Sequence, residues 1–237
     1  MNSILKFFSS STINLADYVK EIIDQAKNNS TADEFTLILN FKDRFGNEDG
    51  TKYLVQTLKQ CQNISRLNLE LREDRIPDEK FEILLDQIKT MKNLKHLTID
   101  ITKNYIKNTS LALIGKTIGS LTQLETIQLT LSSNSLGDKK IADLTEGLNK
   151  CQNLTYLKLN LDYCNILDTG LQTLCTGLAH CVNLTQLELS LGCNGFSQYS
   201  NLIMSQMIGE GPYLEYLKTL EDTLKKHKLT KFSAKYW

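Results

Sequence analysis

Five consecutive segments of this chain hold one register of thirty residues without a slip. Ile64, Leu94, Leu124, Leu154 and Leu184 each open the pattern L-x-x-L-x-L-x-L. Apolar triplets travel with them: Leu67/Leu69/Leu71, Leu97/Ile99/Ile101, Ile127/Leu129/Leu131, Leu157/Leu159/Leu161 and Leu187/Leu189/Leu191. Self-similarity at a period of this size specifies a solenoid, because each unit is too small to bury its apolar face except against its neighbours.

The interior of the unit follows from periodicity. Alternation through each triplet is that of a strand, with residues such as Tyr156, Lys158 and Asn160 on the opposite, polar face. After a turn at 165–170, the spacing of Leu171, Leu174 and Leu178 predicts an amphipathic helix. Two helix columns repeat the register independently: Leu54/Leu84/Ile114/Leu144/Leu174 and Leu58/Ile88/Ile118/Leu148/Leu178. Asp78, Asn108, Asp138 and Asp168, with Glu48 as a weaker counterpart, stand where each unit needs an N-cap for its own helix. A further column, Asn63/Asn93/Gln123/Asn153/Asn183, is expected to satisfy buried backbone groups where helix returns to strand.

Asn134-Ser-Leu136-Gly137-Asp138 and Ile166-Leu167-Asp168-Thr169-Gly170 resemble the turns of the leucine-rich repeat family, in its ribonuclease-inhibitor-like subfamily. The resemblance covers about residues 34–192. It implies an α/β leucine-rich repeat solenoid, a horseshoe arc with a parallel concave sheet of about seven strands and helices on the convex side. The chain departs from the family pattern by a strand stretch two residues longer before the asparagine. Similar arrays with C-x-N-L junctions occur in ciliated-protist proteins, sometimes behind a kinase domain, but the Gly-rich loop and H-R-D segment of a kinase are absent here.

Three regions are expected. Residues 1–33 form an N-terminal segment and a capping helix carrying Leu15, Val19, Ile22, Ile23 and Ala26. The apolar stretch Ile4–Phe8 either docks into a partner's groove or packs on the first coil. Residues 34–192 are the repeats, and 193–237 an irregular last repeat and cap. That cap comprises an insertion with Leu202, Ile203, Met207 and Ile208, a helix begun by Pro212, and a final strand through Phe232 and Ala234. Tyr236 and Trp237 are expected to cover the core edge.

Charge excludes some functions. Lys plus Arg and Asp plus Glu number 27 each, so no overall field draws nucleic acid or anionic lipid. No apolar run reaches the length of a membrane span, and the N-terminus lacks the pattern of a leader; a cytoplasmic protein is expected. The cysteines follow no metal spacing: Cys61, Cys151 and Cys181 share a repeat position, and all six are read as small buried thiols.

Residues at one repeat position form a ladder across the sheet, so the polar face can be written down from the register. Glu70 and Asp100 become neighbours of like charge. Either a cation lies over them, a partner's Lys or Arg or a divalent metal, or both are solvated with Arg66, Arg72 and His96 relieving the repulsion. His96 and Asp100 stand ~13 Å apart along one strand, too far for a catalytic dyad, and no Ser or Cys nucleophile is arranged with a His. Tyr156 is an anchor candidate at mid-face. Lys158 and Glu188 read as a modest surface pair.

These readings predict a non-catalytic, cofactor-free and metal-free module that binds another protein through the concave face. The predicted set is Arg66, Glu70, Arg72, His96, Asp100, Tyr156, Lys158, Asp162 and Glu188, with Lys231 and Lys235 from the last strand. Two alternatives stand beside it. One is a structural subunit of a large assembly such as a ciliary axoneme. The other, implied by resemblance to ribonuclease inhibitors and Ran GTPase-activating proteins, is a regulator of an enzyme or GTPase.

Overall fold

The computed structural model of this chain describes residues 3–8, 35–40, 48–73, 76–104, 106–196 and 212–235. Strands β1 (Ser3–Phe8) and β2 (Phe35–Asn40) come first, then helix α1 (Glu48–Gln60). Strand and helix then alternate: β3 (Arg66–Glu70), α2 (Asp78–Ile88), β4 (His96–Asp100), α3 (Asn108–Gly119), β5 (Thr126–Thr130), α4 (Ile141–Asn149), β6 (Tyr156–Asn160), α5 (Asp168–Leu178) and β7 (Gln186–Ser190). Helix α6 (Pro212–Lys225) and strand β8 (Lys231–Lys235) complete the described chain. The strands make one parallel sheet in chain order, β1 to β8, and the helices pack on one another in the same order. This is a leucine-rich repeat solenoid.

The described sheet has eight strands, against about seven expected. The extra one is the N-terminal apolar stretch, which pairs with β2 in the register Ile4↔Thr36 through Phe8↔Asn40. Of its two expected fates, it is therefore packed on its own first coil. The expected capping helix near Leu15–Ala26, the insertion residues Leu202–Ile208, and Tyr236 and Trp237 lie outside the described residues.

The triplets do what their alternation requires. Leu67, Leu69 and Leu71 are fully buried, as are their counterparts in β4 to β7 to within 2 %. Both helix columns meet them from the other side, from Leu54 and Leu58 to Leu174 and Leu178. Each such leucine or isoleucine contributes about 1.5–3 kcal/mol by leaving water. Cys61, Met91, Leu121, Cys151 and Cys181 fill one further buried column where each helix turns into the next strand. Burial in that column pushes the thiol of Cys61 up to about 11 and those of Cys151 and Cys181 to about 12. Cys193 departs from the expectation, since it is exposed on a left-handed turn residue with φ 53°.

The two added residues of the unit have a visible role. The backbone ladder runs on past each strand, with Leu71 N donating to Asp100 O and Glu73 N to Thr102 O, and with the same pair of bonds in the next three coils. Glu73, Lys103, Ser133, Tyr163 and Cys193 then all turn the chain in the left-handed region, with φ between 53° and 60°. Just beyond, Asn104, Asn134 and Asn194 form a second ladder that ties coil to coil. Asn134 Nδ2 donates to Ile101 O (3.0 Å) and Leu131 O (2.8 Å), while its Oδ1 accepts from Asn104 N (3.1 Å). Cys164 holds the same rung, its Sγ reaching Leu131 O at 3.3 Å.

Two local expectations are corrected. Asp78 and Asp138 do not cap their own helices; α2, α3, α4 and α5 have no side-chain cap bond. Each carboxylate instead reaches the helix start of the following coil. Asp78 accepts from Lys107 N (3.0 Å) and Ser110 Oγ (2.6 Å); Asp138 accepts from Leu167 N (2.8 Å) and Thr169 Oγ1. In a solenoid the neighbouring helix start is nearer to such a side chain than the orphan amides of its own first turn. The Asn63/Asn93/Gln123/Asn153/Asn183 column is exposed rather than buried. Asn153 and Asn183 still donate to backbone carbonyls of the preceding coil, Thr122 O and Gln152 O, at the surface.

Candidate partner-binding face

Parallel pairing without a bulge converts the polar alternation into a lattice. Arg66, His96, Thr126, Tyr156, Gln186 and Lys231 are successive partners in one column. Asn68, Thr98, Gln128, Lys158, Glu188 and Ser233 form the next, and Glu70, Asp100, Thr130, Asn160, Ser190 and Lys235 the third. Arg72, Thr102, Ser132, Asp162 and Gly192 follow as a rim, one strand position further on. All eleven predicted residues therefore lie on this face or its rim, in two groups at opposite ends of it.

In the first group most charge is already committed within the chain. Asp100 is buried, with 5 % of its surface exposed, and is not the solvated acid one alternative expected. Its Oδ2 accepts from Arg72 Nε at 2.7 Å and pairs with the guanidinium NH2 at the same distance. Its Oδ1 accepts from Thr102 N (3.0 Å) and Thr102 Oγ1 (2.7 Å). The cation over the acidic pair is thus the chain's own Arg72. His96 turns to Thr126, Nδ1 to Oγ1 at 2.9 Å. Glu70 faces Asp100 across the strand pair, and beside it the Oδ1 of Asn68 is buried with no hydrogen-bond partner among the described residues.

The second group gathers on β6, β7 and β8. Lys231 Nζ lies 2.8 Å from Glu188 Oε1, whereas Lys158 Nζ is 4.0 Å from Oε2. The pair predicted within β6 and β7 is therefore the looser of two, because β8 brings a second lysine closer. The hydrogen bond from Lys231 holds the Glu188 carboxyl below its usual range, against the opposing effect of burial. Partial burial, then the charge and hydrogen bond of Glu188, raise the Tyr156 hydroxyl. Asp162 serves the turn: Ser190 Oγ donates to both of its oxygens (2.9 and 3.0 Å), and Gly192 N to Oδ1 at 2.6 Å.

Lys158, Asn160, Glu188, Ser190, Ser233 and Lys235 line a hollow of about 210 Å³ floored by Leu159 and Leu189. Sequence reasoning named three of these residues but not Asn160, Ser190 or Ser233. Their adjacency was present in the columns; that a depression forms there depends on side-chain heights, which no repeat pattern encodes. Tyr163 and Leu167, about half exposed on the rim, were also unforeseen.

Among the described residues, no group of three or more His, Cys, Asp and Glu side chains is placed to hold a metal ion. No described helix is long and apolar enough to cross a membrane. No family model and no curated protein matches the chain. Among solved structures it is similar to one titled as the tropomodulin C-terminal domain, from structural genomics of Caenorhabditis elegans, at 10 % identity and a TM-score of 0.48. That match covers 88 % of this chain and 92 % of the other.

Proposed function

We propose that this chain is a non-catalytic protein–protein interaction module whose concave sheet face is the docking surface. We read its coils as ribonuclease-inhibitor-like, with residues 34–192 as the repeats and the flanking stretches as caps. The observation that carries the reading is the gap-free lattice of polar side chains on a continuous hydrogen-bonded sheet, backed from β3 to β7 by buried leucines and isoleucines. Such a surface is formed before a partner arrives, so association costs little ordering of the chain. The half-buried Tyr156 at mid-face is the anchor candidate.

Crosslinking mass spectrometry in native extract tests this. Lys158, Lys231 and Lys235 are exposed on the sheet face, Lys116 on helix α3 and Lys89 at the C-cap of α2. Crosslinks from the first three to one common partner are expected. Crosslinks confined to Lys89 and Lys116 refute the concave assignment.

A further inference from the structure

We propose that the hollow between Lys158 and Lys235 seats an acidic side chain of a partner protein, an Asp or Glu carboxylate within an acidic segment. The inference rests on the concave docking reading above and names the chemistry of what docks there.

The first argument is an inventory of hydrogen-bonding capacity. Glu188, the one carboxylate lining the hollow, accepts from Lys231 at 2.8 Å. The acceptor of Asn160 is taken by Asp162 N at 3.0 Å, which leaves its amide hydrogens to donate. Ser190 already donates to Asp162. Among the described residues, the Ser233 hydroxyl and the Lys235 ammonium have no hydrogen-bond or ion-pair partner, and Lys158 is held only at 4.0 Å. Donors thus outnumber acceptors at this hollow, and an acceptor with several lone pairs is what they fit.

Charge points the same way. Three lysines, Lys158, Lys231 and Lys235, stand against Glu188 and, on the rim, Asp162, leaving one net positive charge at this end of the face. At the other end Arg66 and Arg72 are balanced by Glu70 and Asp100. Across an interface such a difference fixes which end of a partner goes where. Size selects the kind of ligand. About 210 Å³ is below the roughly 300–1,000 Å³ of small-molecule sites, yet ample for one carboxylate side chain.

The test titrates hexaglutamate into the ¹⁵N-labelled full chain at low salt and follows amide shifts. Hexalysine and a phosphoserine peptide without Asp or Glu run in parallel. Saturable shifts at Asn160, Ser190, Ser233 and Lys235 with hexaglutamate are expected, weakened about tenfold in K158E/K235E. K116E, on helix α3 and away from the sheet face, leaves them unchanged. K158Q/K235Q gives an intermediate loss and guards against misfolding of the charge-reversed chain. Absent shifts at those four amides, shifts insensitive to both lysine pairs, or shifts with the phosphopeptide alone each overturn the proposal. If hexaglutamate leaves the hollow unmoved while Lys158 and Lys235 still crosslink to a partner, the acidic occupant is wrong and the docking face stands. Crosslinks confined to the helices remove the docking face and this inference with it.

Discussion

Asn134→Leu removes a central rung of the asparagine ladder while keeping the same branched side-chain skeleton, and its cost can be worked out bond by bond. The amide of Asn104 loses its acceptor, Asn134 Oδ1 at 3.1 Å, in a place where water does not reach. A buried donor left without a partner costs about 1–3 kcal/mol. The two carbonyls fare better. Ile101 O keeps Asn104 Nδ2 at 3.0 Å, and Leu131 O keeps the weaker thiol of Cys164 at 3.3 Å. Each therefore loses one of two bonds, roughly 0.5–1 kcal/mol apiece. The sum is about 2–5 kcal/mol, or on the order of 10 °C in melting temperature for a chain of this size. Asn134→Cys is the internal control, because Cys164 shows that a thiol can hold a rung. It should cost less than half as much as the leucine. Denaturant unfolding followed by circular dichroism measures both. A leucine variant within about 0.5 kcal/mol of wild type, or a cysteine variant no better than leucine, refutes the ladder as a source of stability.

Gly147→Ala should be severe, because the added Cβ would lie 1.9 Å from Gly115 O in the α3–α4 contact and must push two backbones apart; a loss of about 2–3 kcal/mol is expected in the same unfolding assay. Asp138→Ala should cost about 1–2 kcal/mol, as lost caps do, and should speed hydrogen exchange at the Leu167 amide of the following coil rather than at its own helix start. Alkali should destabilise the fold. Burial raises Cys61 to about 11 and Cys151, Cys164, Cys175 and Cys181 to about 12 from the ordinary 9.0, so above pH 9 the unfolded chain ionises first. Stability is then full below pH 9 and falls by up to about 1.4 kcal/mol per pH unit for each thiol, measured as a lower unfolding midpoint that Cys175→Ala partly removes. Finally, the hydrogen bond from Lys231 to Glu188 raises the lysine, which reduces its reactive neutral amine near pH 8. Glu188→Gln should therefore accelerate acylation of Lys231, read by quantitative mass spectrometry.

The fold was legible because a solenoid writes each contact into the sequence several times over. Leu157 and Leu187 pair in register for the same reason that Leu67 and Leu97 do, so one alternating triplet read correctly fixes the whole sheet. What escaped were contacts between coils. Asp138 in an N-cap position looks local, yet its partners are Leu167 and Thr169, about thirty residues on. The period gives that neighbour's identity but not which side chain is long enough to reach it. The Asn153 and Asn183 column failed differently. An amide at a tight junction suggested burial, whereas the buried amides are Asn104 and Asn134, with Asn194 half-buried, at the other end of each strand.

The same distinction bears on function. At the β3–β4 end of the face, the most charged positions in the sequence are spent within the chain: Arg72 neutralises Asp100, and both hold the strand exit in place. Charge in a column is thus a poor guide to binding unless its partners in adjacent columns are counted. At the β6–β8 end the count comes out differently, because β8 supplies two lysines against the one glutamate of β7. Lys231 takes that glutamate, and Lys158 and Lys235 are left around the hollow with donors to spare. An irregular last repeat, joined through the stretch that breaks the thirty-residue register, thereby makes the two groups of charges on the face unequal, and under the proposed docking this inequality would set a partner's orientation.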